Sequence, residues 1–235
     1  MESWSVGFDG DDDVERHAGV GTHQPQAERP LGVRMVSDYI CPWCFVGLAR
    51  IERLAEEFDI ELEAWAYNLR PGVPEEGLPR DVAYRDRSFP PGYRERLKET
   101  ARQAGIEMIA PPVVANTFKA HMATEFAREQ GRMREFHRAV FEAYWERGEN
   151  IGEADVLCAV AEGCGLDAAA LGEALADGRY EKTVEEQMAW ARNVGLGGVP
   201  TFIFEEKFAV VGAQDYDVFA DVARRIKSGA LQAEG

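Results

Sequence analysis

Four cysteines are too few to staple a chain of 235 residues, because scaffolds built on disulfides are small and cysteine-dense. A paired zinc knuckle is missing too. Cys41 and Cys44 form a single C-x-x-C, Cys158 and Cys164 stand six apart, and His17, His23, His121 and His137 are scattered, whereas structural zinc takes four ligands from paired knuckles. No apolar run approaches the ~18 residues that span a bilayer. The opening residues have neither the basic nor the apolar segment of a secretory signal, so the expected location is the cytoplasm, where ordinary thiols stay reduced. Positive charge is also short: 26 Lys and Arg face 42 Asp and Glu, a net charge of −16. A surface of that sign repels nucleic acid and anionic lipid, so neither is an expected partner. What is present, 46% hydrophobic and 29% charged residues, suits a soluble globular chain with a substantial core.

Residues 1–30 hold Asp11, Asp12 and Asp13 with scattered Gly and Pro and no hydrophobic period, and read as a disordered acidic leader. "LGVRMVSDYI" reads as a buried strand. Beyond the C-x-x-C, Leu48, Ile51, Leu54, Ala55 and Phe58 fall at helical spacing, and "IELEAWAYNL" alternates as a strand does. The cysteines therefore sit in the first turn of a helix inside a β-α-β unit. From about 73 to 195 the pattern is helical, beginning with "YRERLKETARQAG" and a helix expected over "VVANTFKAHMATEFAREQG", with Gly105, Gly131, Gly148 and Gly195 as stops. "PTFIFEE" and "FAVVGAQ" then read as a hairpin, and "YDVFADVARRIKSG" as a last helix. Strands at both ends need one shared sheet to bury their faces. The expected fold is α/β, with residues 31–72 and 196–230 forming one domain and 73–195 an inserted all-helical domain.

A bridge across C-x-x-C closes so short a loop that it adds little stability. As a redox centre the motif has a physical basis. A sulfur at Cys41, beside the free N–H groups and positive end of a helix, is stabilised as a thiolate. Cys44, one turn on, is placed to attack a mixed disulfide formed at Cys41. Pro42 suits the first helical position, where a missing N–H costs little. Trp43 reads equally as a substrate platform or as a lid that excludes water. Cys158 and Cys164 would lie about 9 Å apart along one helix, beyond the ~7 Å limit for a disulfide, and read as small buried hydrophobes.

"SDYICPWCFVG", "NTFKAH", "FHRAVFEAYWERGENIG", "GVPTFIF" and "FAVVGAQ" together resemble the DsbA-like thioredoxin-fold group that includes FrnE-type proteins and 2-hydroxychromene-2-carboxylate isomerases. The resemblance implies a thioredoxin-like fold interrupted by helices, Cys41 and Cys44 as the redox dithiol, and Val199-Pro200 as the cis-proline loop presenting backbone to a substrate. It implies protein or small-molecule thiols and disulfides as partners and no bound cofactor or metal, with glutathione as a candidate co-substrate. Asn116, Phe118 and His121 read either as part of a substrate cleft or as an ordinary amphipathic helix. Isomerase relatives carry serine in place of the nucleophile, so a true dithiol favours thiol-disulfide exchange. The buried acid that many thioredoxin-fold enzymes keep before the first cysteine is here Met35, which leaves Asp38 as the nearest carboxylate. The expected function is a cytoplasmic dithiol-disulfide oxidoreductase. The alternatives are a glutathione-dependent isomerase or transferase of a small aromatic substrate, and a chaperone-like binding module.

Overall fold

The computed structural model describes residues 29–231. The acidic leader expected over 1–30 lies outside them, apart from Arg29 and Pro30. Strand β1 (Leu31–Ser37) buries Leu31, Val33 and Met35 on one face and turns Val36 to the other, the two-residue period of a pleated strand. Helix α1 (Pro42–Glu57) buries Cys44, Phe45, Leu48, Ile51 and Leu54 at the three- and four-residue spacing of a single helix face. β2 (Ile60–Ala66) then runs parallel to β1, with Leu31 opposite Ile60 and Ser37 opposite Ala66.

The chain leaves the sheet through β3 (Leu78–Pro79), α2 (Arg80–Ala83), α3 (Tyr93–Gln103), β4 (Val113–Val114), α4 (Phe118–Glu129), α5 (Met133–Trp145), α6 (Ala154–Gly163), α7 (Ala168–Ala176) and α8 (Glu181–Asn193). It returns through β5 (Thr201–Phe204), β6 (Phe208–Val211) and α9 (Tyr216–Lys227). The strand order is β2-β1-β5-β6, with β5 antiparallel to both of its neighbours. Both ends of the chain thus feed one sheet, and the helices between them form an insertion, giving the α/β thioredoxin-like architecture. The β5–β6 turn places Glu205 and Glu206 at positive φ, 50° and 58°, the backbone of a tight hairpin.

Two local expectations are corrected. The helix expected to begin at Val113 begins at Phe118; Val113 and Val114 instead pair with Pro79 and Leu78 in a separate two-stranded ladder. Asn116 ends that strand by accepting a hydrogen bond from the Phe118 N–H at 3.0 Å, a local turn that competes with helix. Helix α7, "AAALGEALA", is a separate element that the sequence reading did not distinguish.

One face of the sheet packs on α1 and α9. There Phe202 meets Phe219 edge-on, with ring centres 4.9 Å apart. The other face, with Val36, Ile203 and Trp65, is covered by Trp190 and Ala191 of α8. The outer edge of β2 would leave backbone groups unpaired, and the insertion satisfies them. The Gln187 side-chain Oε1 accepts from Ala66 N–H at 2.9 Å, and Arg128 donates to the Ala64 backbone carbonyl. Glu125, itself buried, accepts from both Arg128 and Gln187 at 2.9 Å.

Candidate active site

Cys41 is the N-cap residue of α1, with extended backbone (φ −89°, ψ 112°), and Pro42 follows in the first turn. Its sulfur makes no capping hydrogen bond, unlike the contact with free helix N–H groups expected from the sequence. It lies 3.7 Å from the Val199 carbonyl oxygen. A thiol S–H donates to a carbonyl, and this is the contact the sulfur makes. The Val199–Pro200 peptide bond is cis. The two elements are held together from behind, because Gly47 of α1 lies against Phe202 and Pro200. A Cβ at Gly47 would stand 2.8 Å from Phe202 Cζ and 3.1 Å from Pro200 Cγ.

Cys44 is fully buried, one helical turn from Cys41, and both are free thiols. Burial, reinforced by the neighbouring Cys41, pushes the Cys44 thiol well above its ordinary range. Desolvation disfavours a charged sulfur, so the two cysteines are unequal. Cys41 faces the Val199 loop, and Cys44 faces the core.

Asp38 is fully buried under this loop. Its backbone carbonyl accepts from Cys41 N–H at 3.0 Å. One carboxylate oxygen accepts from Leu69 N–H at 2.7 Å. Burial raises this carboxyl to about 6, against the opposing pull of the Leu69 N–H. The Thr117 hydroxyl lies close by, yet makes no hydrogen bond of good geometry among the described residues. His121 places Nε2 at 3.2 Å from the Tyr67 carbonyl and 4.0 Å from Asp38 Oδ1. Burial lowers His121 to about 4, so it is neutral and donates to Tyr67.

Of the other residues named from the sequence, Asn116 donates to the Val73 carbonyl at 2.8 Å and caps the turn into α4. Its amide is committed to backbone at both ends. Phe118 packs half-buried against the core. His121 alone of the three reaches the dithiol loop, through Asp38.

Sequence reasoning missed a second set of neighbours. Trp43 donates its indole N–H to the Tyr93 hydroxyl at 3.1 Å. Tyr93 stacks on Phe89 at 5.0 Å, and Phe89 leans on Tyr84 at 5.7 Å. Beneath the loop, the Tyr39 hydroxyl bonds Thr124 and His137 Nδ1, the latter at 2.7 Å. Thr124 donates to the Ala120 carbonyl at 2.8 Å, so it accepts from Tyr39, and His137 Nδ1–H then donates to the tyrosine oxygen. That leaves His137 Nε2 an unpartnered acceptor among the described residues. Burial lowers His137 to about 3. No local pattern marks these residues, because they converge from helices α1, α3, α4 and α5 and the segments between elements. Among the described residues, no three His, Cys, Asp or Glu side chains gather as metal ligands.

The model of the DSBA-like thioredoxin domain matches residues 32–223, and the chain belongs to that family. The chain is 30% identical over 190 residues to the protein YwbO of Bacillus subtilis (strain 168), covering 80% of this chain and 92% of that one. A probable DsbA oxidoreductase of Streptomyces coelicolor, SCO1869, superposes with a TM-score of 0.77 at 26% identity, over 87% of this chain and 93% of that one. A 2-hydroxychromene-2-carboxylate isomerase shares the fold at a TM-score of 0.68 and 18% identity, over 85% and 98% of the two chains.

Proposed function

We propose that this protein is a dithiol-disulfide oxidoreductase in which Cys41 is the nucleophile and Cys44 the resolving thiol. The observation that carries the reading is their asymmetry. Cys41 sits at a helix N-cap facing the Val199 carbonyl at 3.7 Å, and Cys44 is fully buried with its thiol pushed up. The Cys41 thiolate attacks one sulfur of a substrate disulfide, forming a mixed disulfide and releasing one thiolate. Asp38 takes the Cys44 proton, within the dithiol's electrostatic reach and with a pKa matched to proton exchange near neutrality. The Cys44 thiolate then attacks Cys41, the second substrate thiolate leaves, and a Cys41–Cys44 disulfide remains. The protein dithiol is oxidised by two electrons and the substrate disulfide reduced by two. The reverse sequence oxidises a substrate dithiol, and reduction potentials decide the net direction.

Steady-state reduction of insulin and of a small disulfide, with glutathione as the candidate reductant, tests this in the wild type, Cys41→Ser and Cys44→Ser. The reading expects turnover in the wild type alone. Activity that survives Cys44→Ser would transfer the assignment to a single-thiol, glutathione-dependent isomerase or transferase.

A further inference from the structure

Residues 70–98 hold seven basic and five acidic side chains in a chain of net charge −16. Two of the cations are placed unusually. The Arg70 and Arg80 guanidinium carbons lie 4.3 and 4.9 Å from the centre of the Tyr84 ring. Neither has a carboxylate partner among the described residues. Arg70 spends Nη1 on the Ala83 carbonyl at 3.0 Å. Its Nη2 and the Nη1 of Arg80 are buried with no hydrogen-bond partner among the described residues. Two like charges held over one ring, each with a buried donor unused, repel each other and leave those donors desolvated. A carboxylate bridging them relieves both, and arginine's planar fork matches its geometry.

This pair is linked to the dithiol by two chains of contacts. Leu69, the residue before Arg70, donates its N–H to Asp38, three residues before Cys41. Tyr84 continues through Phe89 and Tyr93 to Trp43, between the cysteines. Tyr93 feels the charges of both Cys41 and Arg80.

Resting on the oxidoreductase reading, we propose that Arg70 and Arg80 form a carboxylate subsite selecting disulfides with an acid group a few bonds from sulfur. Cys41 attacks such a disulfide as described above, and the departing thiolate is the acid-bearing half held by the arginines.

Single-turnover oxidation of the reduced protein, followed by acid quench and intact mass, tests this with dithiodipropionate, hydroxyethyl disulfide and cystamine. Each rate is divided by that of a small neutral dithiol with the same disulfide. The normalised anionic-to-neutral ratio is expected to be about tenfold, the scale of one charged hydrogen bond, despite the negative surface. Arg80→Gln should bring it toward one, Arg80→Lys should keep part of it, and the exposed control Arg85→Gln should leave it unchanged. A wild-type ratio of one or below, a ratio unmoved by Arg80→Gln, or equal loss in Arg85→Gln overturns the subsite. Two cystine peptides with Glu or Gln beside the disulfide separate sources. A Glu preference assigns the acid to a protein side chain, and a preference only among small disulfides assigns it to a low-molecular-weight thiol.

Titration calorimetry with thiodipropionate, a thioether that cannot exchange, decides the subsite without turnover. Binding that Arg80→Gln abolishes supports it, and absence of binding to the wild type overturns it. Failure of every disulfide to react, with thiodipropionate still bound, would sink the oxidoreductase reading alone.

Discussion

Asp38 is the residue on which proton movement turns. Its carboxyl, raised to about 6 by burial, accepts a proton only when ionised, so resolution by Cys44 quickens as pH rises through about 6. Asp38→Asn keeps an acceptor for Leu69 N–H and removes the base. It is expected to slow the second thiol step about 100-fold, the scale of general base catalysis, and to flatten its pH profile between 5 and 7. Rapid-quench measurement of the mixed-disulfide lifetime checks this; an unchanged profile in Asp38→Asn would contradict it. Cys41 and Cys44 were legible because their chemistry is local: two thiols, a proline and one helix start. Asp38 was visible only as a nearby acid. What distinguishes it, full burial and the Leu69 N–H from across the loop after β2, is set by the tertiary fold.

Among the elements, α1 and β5 set the distance between the thiols and the Val199 loop. Gly47 is the contact point, and Phe202 cannot yield because it is buried and already packed on Phe219. Gly47→Ala is expected to cost about 1–3 kcal/mol, as overpacking does in dense cores. It should also slow disulfide exchange, because α1 carries Cys41 away from Val199. Denaturant unfolding and single-turnover rates check both; wild-type values for each would refute the contact. Elements with a clear period, β1, α1, β2, β5, β6 and α9, could be read from the sequence. The Leu78–Pro79 and Val113–Val114 ladder could not, since two-residue strands have no period to detect. The Trp43–Tyr93 bond and the Arg70–Tyr84 contact are invisible for a related reason: they join residues 50 and 14 positions apart through a largely irregular segment.

For the whole molecule, two neutral histidines buried between the insertion and the sheet domain make stability depend on pH. Their folded pKa values, about 4 for His121 and about 3 for His137, lie below the ~6.5 of the unfolded chain. The unfolded state therefore binds more protons in that window. The stabilising contribution is whole above pH 6.5 and is lost as pH falls toward 4 and 3. Asp38 has the opposite sign, because its folded state holds the extra proton between 3.8 and about 6. His137→Gln is expected to be less stable than the wild type at pH 7, with the gap about 2 kcal/mol narrower at pH 5. Urea unfolding at the two pH values checks this, and a constant gap would contradict it. The central claim, a nucleophile facing the Val199 loop and a resolving thiol buried deeper beside it, is tested most directly by trapping. Cys41→Ser and Cys44→Ser, each also carrying Cys158→Ser and Cys164→Ser so that one thiol remains, are treated with a small disulfide, quenched and weighed intact. The account predicts a one-to-one mixed disulfide on Cys41 that accumulates in Cys44→Ser, and no adduct on Cys44 in Cys41→Ser at the same time. Rapid adduct formation on Cys44, with Cys41 the slower partner, would contradict it.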